Sequence, residues 1–292
     1  MLDIMSYNCP VRTGAHLWIG QGLSEVVVVA CRLKCQCLQI FLHSPRQWRV
    51  KKRPDCELVS FRKALKLQGL EPLVVHMPYL INLASPEGSV VSLSLKRLAL
   101  ELEEAETAGA TAYVLHPGSH LGCGPQAGLK RLIGNLQKIS GSNVKLLLEN
   151  TAGQGQSLGR FWSGFREIRQ HCPQTGFCLD TAHAWAAGYN LTSSTGFQSM
   201  LAEIEKTLGL EYIFLVHANG SAAVCGSGLD RHASLDRGKI GLEVFQWLAQ
   251  DKYLGKLPFI IETPKNSLSE DRRNLKLLLR VERQTEAGAK NG

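Results

Sequence analysis

Short apolar runs recur along the chain, and most of them end on a histidine or a carboxylate. They are TGAHL (13–17), CLQIFLH (37–43), PLVVHM (72–77), AYVLHP (112–117), VKLLLEN (144–150), GFCLDT (176–181), YIFLVHA (212–218) and PFIIET (258–263). Their Val, Ile, Leu and Phe come in continuous stretches, which suits strands buried on both faces. Between them lie segments such as SLSLKRLALELEEAETAGA (92–110) and GLEVFQWLAQDKY (241–253), where apolar residues repeat at three and four as in amphipathic helices. Eight strands alternating with helices over roughly 250 residues predict a (β/α)8 barrel. A doubly wound sheet is the competing architecture, and the even spacing of the runs favours the barrel. No composition shift divides the chain, so one domain is expected: an N-terminal extension over 1–12, the barrel over 13–284, and a flexible polar tail over 285–292.

Composition narrows the class without choosing the chemistry. The 44% apolar and 20% charged residues of this 292-residue chain are those of a globular protein. VVVVA (26–30) is too short to span a bilayer, and MLDIMSYNCP lacks the basic and apolar regions of a signal peptide. No membrane association and a cytoplasmic location are expected, beside the nucleoid if the source is bacterial. The nine cysteines show no CxxC spacing among Cys31, Cys35 and Cys37, and read as free thiols, with Cys178 filling the barrel interior. A net charge of +8 favours an anionic partner, nucleic acid first.

The strand ends carry the chemistry. In a barrel they converge on one face, where catalysis sits. Here they bear His16, His43, His76, His116, Glu149, Asp180, His217 and Glu262. Carboxylates brought together there repel one another, and divalent cations relieve the repulsion while using the imidazoles as ligands. The nitrogen and oxygen donor set, without thiolate, suits Zn²⁺, with Mn²⁺ or Fe²⁺ as substitutes. His16 and His43 fit ligation least well and are expected to orient ligands or touch substrate; His120 and His171 read as surface residues. In CGSGLDRHAS (225–234), Asp230 and His232 stand two apart, so extended backbone points both the same way. Asp180 and His183 stand three apart at a strand-to-helix junction, where Asp180 has the alternative role of capping the helix. GQGQSLG (153–159) departs from the dinucleotide fingerprint, its third glycine coming one residue late, so no nucleotide cofactor is expected.

With those residues in view, the chain resembles the endonuclease IV family of apurinic/apyrimidinic (AP) endonucleases, trinuclear zinc enzymes of base-excision DNA repair. The likeness runs from GAHL (14–17) to IIETP (260–264). It is carried by HMPYLINLASP (76–86), LHPGSHLG (115–122), LLLENTAGQG (146–155), CLDTAHAWAAGYN (178–190), FLVHANG (214–220) and GSGLDRHASLDRGKIG (226–241). The resemblance implies three zinc ions per chain. His76, His116 and Glu149 would hold one; Glu149 would bridge to a second, completed by Asp180, His217 and Glu262; His183, Asp230 and His232 would hold the third. It further implies a monomer that hydrolyses the phosphodiester 5′ to an abasic site in duplex DNA, leaving a 3′-hydroxyl and a 5′-deoxyribose phosphate, and that trims 3′-blocked ends. Glu149 or Glu262 would orient the attacking water. Arg46, Tyr79 and Leu80 would enter the gap left by the flipped sugar, an aromatic ring and a leucine replacing lost stacking. The basic stretch RVKKR (49–53) would either track phosphates or form a solvated charge run.

One departure stands out. Where family members commonly carry an acidic residue and a lysine after the loop asparagine, this chain has Asn219, Gly220, Ser221 and Ala222. That removes charge from the DNA-facing rim. The rival reading is a xylose-isomerase-like sugar isomerase or epimerase, a barrel with similar strand-end ligands around fewer ions.

Overall fold

The computed structural model describes residues 11–264 and 267–289. Its strands are β1 (Thr13–Leu17), β2 (Cys37–Ile40), β3 (Leu73–His76), β4 (Ala112–Leu115), β5 (Lys145–Glu149), β6 (Gly176–Asp180), β7 (Ile213–His217), β8 (Gly220–Ser221), β9 (His232–Ala233) and β10 (Phe259–Ile261). The helices are α1 (Leu23–Leu33), α2 (Asp55–Leu67), α3 (Gly88–Ala108), α4 (Pro125–Leu136), α5 (Arg166–His171), α6 (Thr181–Ala187), α7 (Ser194–Thr207), α8 (Glu243–Gln250) and α9 (Leu268–Ala289). Eight parallel strands close in the order β1-β10-β7-β6-β5-β4-β3-β2. This is the (β/α)8 barrel that the apolar runs predict, each barrel strand lying within its run. The doubly wound alternative is excluded by the pairing of β1 with β10. Helix α9 continues into the stretch read as a tail from 285. Residues 290–292 and residues 1–10 of the expected N-terminal extension lie outside the described residues.

The barrel encloses its own small core, separate from the larger one between strands and helices. Cys37, Val74, Leu147, Cys178, Leu215 and Ile260 belong to this inner cluster. Burial pushes the Cys178 thiol up to about 12, so it stays neutral filler, as expected for it. Side chains two apart on a strand share a face. The residues two further along are Gln39, His76, Glu149, Asp180, His217 and Glu262. The same parity takes Gly14 to His16 and Val114 to His116. The polar site is thus the uppermost layer of the barrel interior, stacked directly on its apolar filling.

One irregularity keeps that layer aligned. Phe177 pairs with Ile213, but after a register shift Cys178 pairs with Leu215 and Asp180 with His217. Without the shift Asp180 would lie opposite Val216, whose side chain belongs to the outer core. A bulge beside a functional site re-aims a side chain in this way.

Candidate metal centre

Glu149 stands at the middle of the layer, fully buried. Its Oε2 lies 3.3 Å from His76 Nε2 and 3.2 Å from His116 Nε2. Its Oε1 lies 3.0 Å from His217 Nδ1 and 3.1 Å from His183 Nδ1. Each carboxylate oxygen therefore faces a different pair of imidazoles. His217 Nδ1 is also 3.3 Å from Glu262 Oε2. On the far side, His183 Nε2 is 3.2 Å from Asp230 Oδ2, and His232 Nε2 is 3.4 Å from Asp230 Oδ1 and 3.7 Å from Asp180 Oδ2.

One nitrogen in each of the His76, His183, His217 and His232 rings is held by a hydrogen bond. His76 Nδ1–H donates to the Met77 carbonyl at 2.8 Å, and His183 Nδ1–H donates to the Asn150 carbonyl at 2.9 Å. His217 Nε2–H donates to Gln39 Oε1 at 2.9 Å, and His232 Nδ1–H points to the Glu262 carbonyl at 3.3 Å. In each neutral ring the remaining nitrogen carries a lone pair, and that lone pair faces the carboxylates. Acceptors then face acceptors, an arrangement that cations or added protons relieve. Metal-binding histidines are oriented by outer hydrogen bonds of this kind. His232 Nε2 is buried and makes no hydrogen bond, as an imidazole nitrogen reserved for a ligand would.

Donor spacing agrees. Two ligands each about 2.1 Å from one ion stand roughly 3.4–4.2 Å apart. Three groups bring one donor atom per residue within 4.8 Å: His76, His116 and Glu149; Glu149, Asp180, His217 and Glu262; Asp180, His183 and His232. Glu149 belongs to two groups, and Asp180 also belongs to two. In the protein alone, the same proximity shows as charge. Burial pushes the Glu149 carboxyl up, yet His217, His116 and His183 hold it well below the usual carboxylate range. Burial also opposes ionisation of Asp230, but His183 and His232 carry it down to about 2. Burial lowers His183, and the carboxylates of Asp180, Asp230 and Glu149 more than reverse this and raise it well above an ordinary histidine.

Asp180 both caps and faces the site. Its Oδ1 accepts from the His183 amide at 2.7 Å, capping α6, while Oδ2 accepts from Asn219 Nδ2 at 2.6 Å beside His232. Helix α6 then supplies a berth for the loop that carries Asp230. The amides of Gly226 and Gly228 donate to the carbonyls of Trp185 and Ala186 at 3.1 and 2.9 Å. Gly188, at φ 122°, takes a backbone conformation that glycine adopts without strain, where the chain leaves α6 beside Gly226.

The remaining sequence-based expectations meet the structure with mixed outcomes. His43 does not join the site: it is buried against helix α3, its Nε2 2.5 Å from Glu104 Oε2. It sits three residues past the end of β2, beyond the inward face that Gln39 occupies. His16 does join, with Nδ1 3.0 Å from Glu262 Oε1. His171 is exposed, but His120 is half-buried, packed over Gly128. In the GQGQSLG loop, Gln154 Oε1 accepts from the Asp230 amide at 2.9 Å and so steadies the loop opposite. RVKKR divides: Arg53 turns inward to Glu57 and the Leu42 carbonyl, Lys52 pairs with Glu103, and Arg49 and Lys51 are exposed. The uncharged Gly220 has a steric reason, since a Cβ there would meet the Ser234 carbonyl oxygen at 2.5 Å. That close approach lets β8 pair with β9 and bring His232 to the site.

Other site residues escape sequence reading. Gln39 Nε2 donates to Glu262 Oε1 at 2.5 Å while its Oε1 holds His217. Asn219 Oδ1 accepts from the Glu262 amide at 2.7 Å, and Asn150 brackets Asp180 through its N–H and C=O. A polar amide inside the apolar run CLQIF was the available signal for Gln39. Above the centre opens a cavity of about 380 Å³, bordered by Trp18, Phe41 and Tyr79 as well as His116, Asp230 and Glu262. Tyr79 and Leu80 occupy the corners of a turn closed by Ile81 N–H to the Pro78 carbonyl at 3.3 Å. Tyr79 is 63% exposed, its ring edge-on to Phe41 at 5.5 Å; Leu80 is half-buried and Arg46 exposed. Ile81 and Leu83 are the buried anchors of that loop.

Comparison with known proteins matches this architecture. A family model described as a xylose isomerase-like TIM barrel covers residues 28–284. A Chloroflexus aurantiacus protein named "Probable endonuclease 4" is 38% identical over 275 residues, 91% of this chain and 96% of that one. The crystal structure of endonuclease IV from Thermus thermophilus superposes with a TM-score of 0.83 at 33% identity, covering 94% of this chain and 99% of that one. A D-tagatose 3-epimerase-like protein shares the fold alone, at 17% identity and a TM-score of 0.74 over 96% of this chain and all of that one.

Proposed function

Because the chain belongs to the endonuclease IV family, we infer that it is a metal-dependent AP endonuclease of base-excision repair. It would hydrolyse the phosphodiester 5′ to an abasic site in duplex DNA, leave a 3′-hydroxyl and a 5′-deoxyribose phosphate, and trim 3′-blocked ends. The observation that carries this reading is Glu149, whose Oε2 faces the His76 and His116 imidazoles while its Oε1 faces His217 in the neighbouring donor group.

His76, His116 and Glu149 would hold one zinc ion; Glu149, Asp180, His217 and Glu262 a second; His183, Asp230 and His232 a third, with Asp180 at its border. Such ions, when bound, lower the pKa of water toward neutrality and offset charge gathering on phosphate oxygens. The chain's own part is to aim and to exclude. Glu149 and Glu262 converge on the same nitrogen of His217, Nδ1, and would orient the attacking water below the cavity. Gln39 fixes Glu262 and His217 together, so neither turns when substrate enters. Phe41 walls one side of the cavity and supports Tyr79, whose exposed ring would fill the space left by the extruded sugar. Leu80 would wedge beside it, and Arg46 would meet the backbone or groove.

The test is a duplex with a single tetrahydrofuran site, incubated with protein before and after chelation and with zinc or manganese restored. One nick, with a 3′ end that a polymerase extends, is expected only with metal. Intact DNA from a folded, metal-loaded chain would refute the reading.

A further inference from the structure

The loop carrying Arg46 is fastened from behind by charges that the metal chemistry does not use. Arg97, Glu101 and Glu104 on α3 are at most 4% exposed, and their spacing sets them on one helical face. Arg97 Nε–H donates to Glu101 Oε1 at 2.8 Å, while its Nη1 reaches the carbonyls of Gln47 at 2.9 Å and Trp48 at 3.3 Å. Tyr113 Oη–H donates to the other oxygen of Glu101 at 2.5 Å. Glu104 takes His43 Nε2 at 2.5 Å and the Arg53 amide at 2.6 Å, and Arg53 Nε–H donates to the Leu42 carbonyl at 2.9 Å. Both ends and the middle of segment 42–53 thus hang on one face of α3. Arg46, next to Gln47, remains exposed.

Buried charges are a poor source of stability, since apolar side chains of similar volume often serve as well or better. What this network supplies is direction. A guanidinium fork addresses Glu101 with one edge and the loop carbonyls with another, which a lysine does not reproduce. We propose that Arg97, Glu101 and Glu104 are positioning residues that pre-set Arg46 for duplex DNA. A loop already ordered in the free protein loses less freedom on binding. The proposal rests on Arg46 being a DNA contact.

Arg97→Lys keeps a cation beside Glu101 and gives up the second edge. In steady-state incision of the tetrahydrofuran duplex, KM is expected to rise about tenfold, equivalent to ~1.4 kcal/mol. The kcat is expected to stay within about twofold, with metal content unchanged. In an Arg46→Ala background the same substitution should add nothing further to KM, because its effect passes through Arg46. Additive losses in that background, or a fall in kcat together with metal, overturn the proposal. Glu104→Leu fills its space without the two hydrogen bonds and provides a second variant should Arg97→Lys fail to fold; an unchanged KM there also overturns it. An unsubstituted chain that leaves the duplex intact overturns the DNA reading and the proposal with it. An active chain whose KM ignores Arg97→Lys overturns the proposal alone.

Discussion

The floor of the cavity and its rim are built on opposite principles. Beneath the floor, Glu149, Asp180 and His217 are fully buried at the ends of barrel strands, and their orientation follows from period-two alternation with the register reset once between β6 and β7. On the rim, Arg46, Tyr79 and Trp18 project from loops into solvent, and their aim depends on anchors elsewhere. Trp18 is 78% exposed, and its indole lies over Gly20, where a Cβ would collide with the ring. Substitutions on the floor should therefore remove chemistry, and substitutions on the rim should weaken engagement while leaving chemistry intact.

The sharpest break in that contrast comes from Glu149→Gln. Nicking should fall by about 10²- to 10³-fold, because the substitution removes a carboxylate shared by two donor groups. Metal analysis should show lost equivalents, and circular dichroism an intact fold. Near-normal nicking would remove Glu149 from the centre. Gln39→Leu comes next, since it frees His217 and Glu262 without touching the donors themselves. Its kcat is expected to drop about 10- to 100-fold, the range for partners that orient metal ligands. A change in KM alone would move Gln39 to the rim class.

Tyr79→Ala should raise KM for abasic duplex about tenfold, in line with one lost stacking platform. If kcat falls instead, the rim takes part in the chemistry and the contrast fails. Trp18→Ala is expected to be mildest, about two- to fivefold in KM, the worth of an exposed aromatic contact. Binding measured by fluorescence anisotropy should weaken in parallel, and unchanged affinity would make Trp18 a bystander.

The same division governs how much was legible in the sequence. Strands buried on both faces leave unbroken apolar runs, and a polar residue that ends such a run has one destination, the barrel mouth. His76, Glu149, Asp180, His217 and Glu262 could be read that way. The rule misled at His43, because the strand ends at Ile40 and three residues later the chain has turned toward α3. It missed Gln39, which sits inside a run instead of closing it. Asn150, Asn219 and Gln154 carry no signal of their own, since their partners lie on distant segments. The Phe177/Cys178 register shift is likewise invisible, being a property of two strands at once. Arg46, Tyr79 and Leu80 came from resemblance to a family, because loop residues obey no periodicity.

The closed pairing of β1 with β10 bears on the order of assembly during synthesis. The donors run from His76 to Glu262, and the last of them follows the final strand of the barrel. A chain still growing beyond residue 232 holds eight of the nine candidate donors, yet has no seam to lock them in register. Metal capture would then report a finished barrel: an unfinished chain would offer its histidines only as loose chelators. A truncation before Phe259 would thus forfeit the centre while sparing most of its residues.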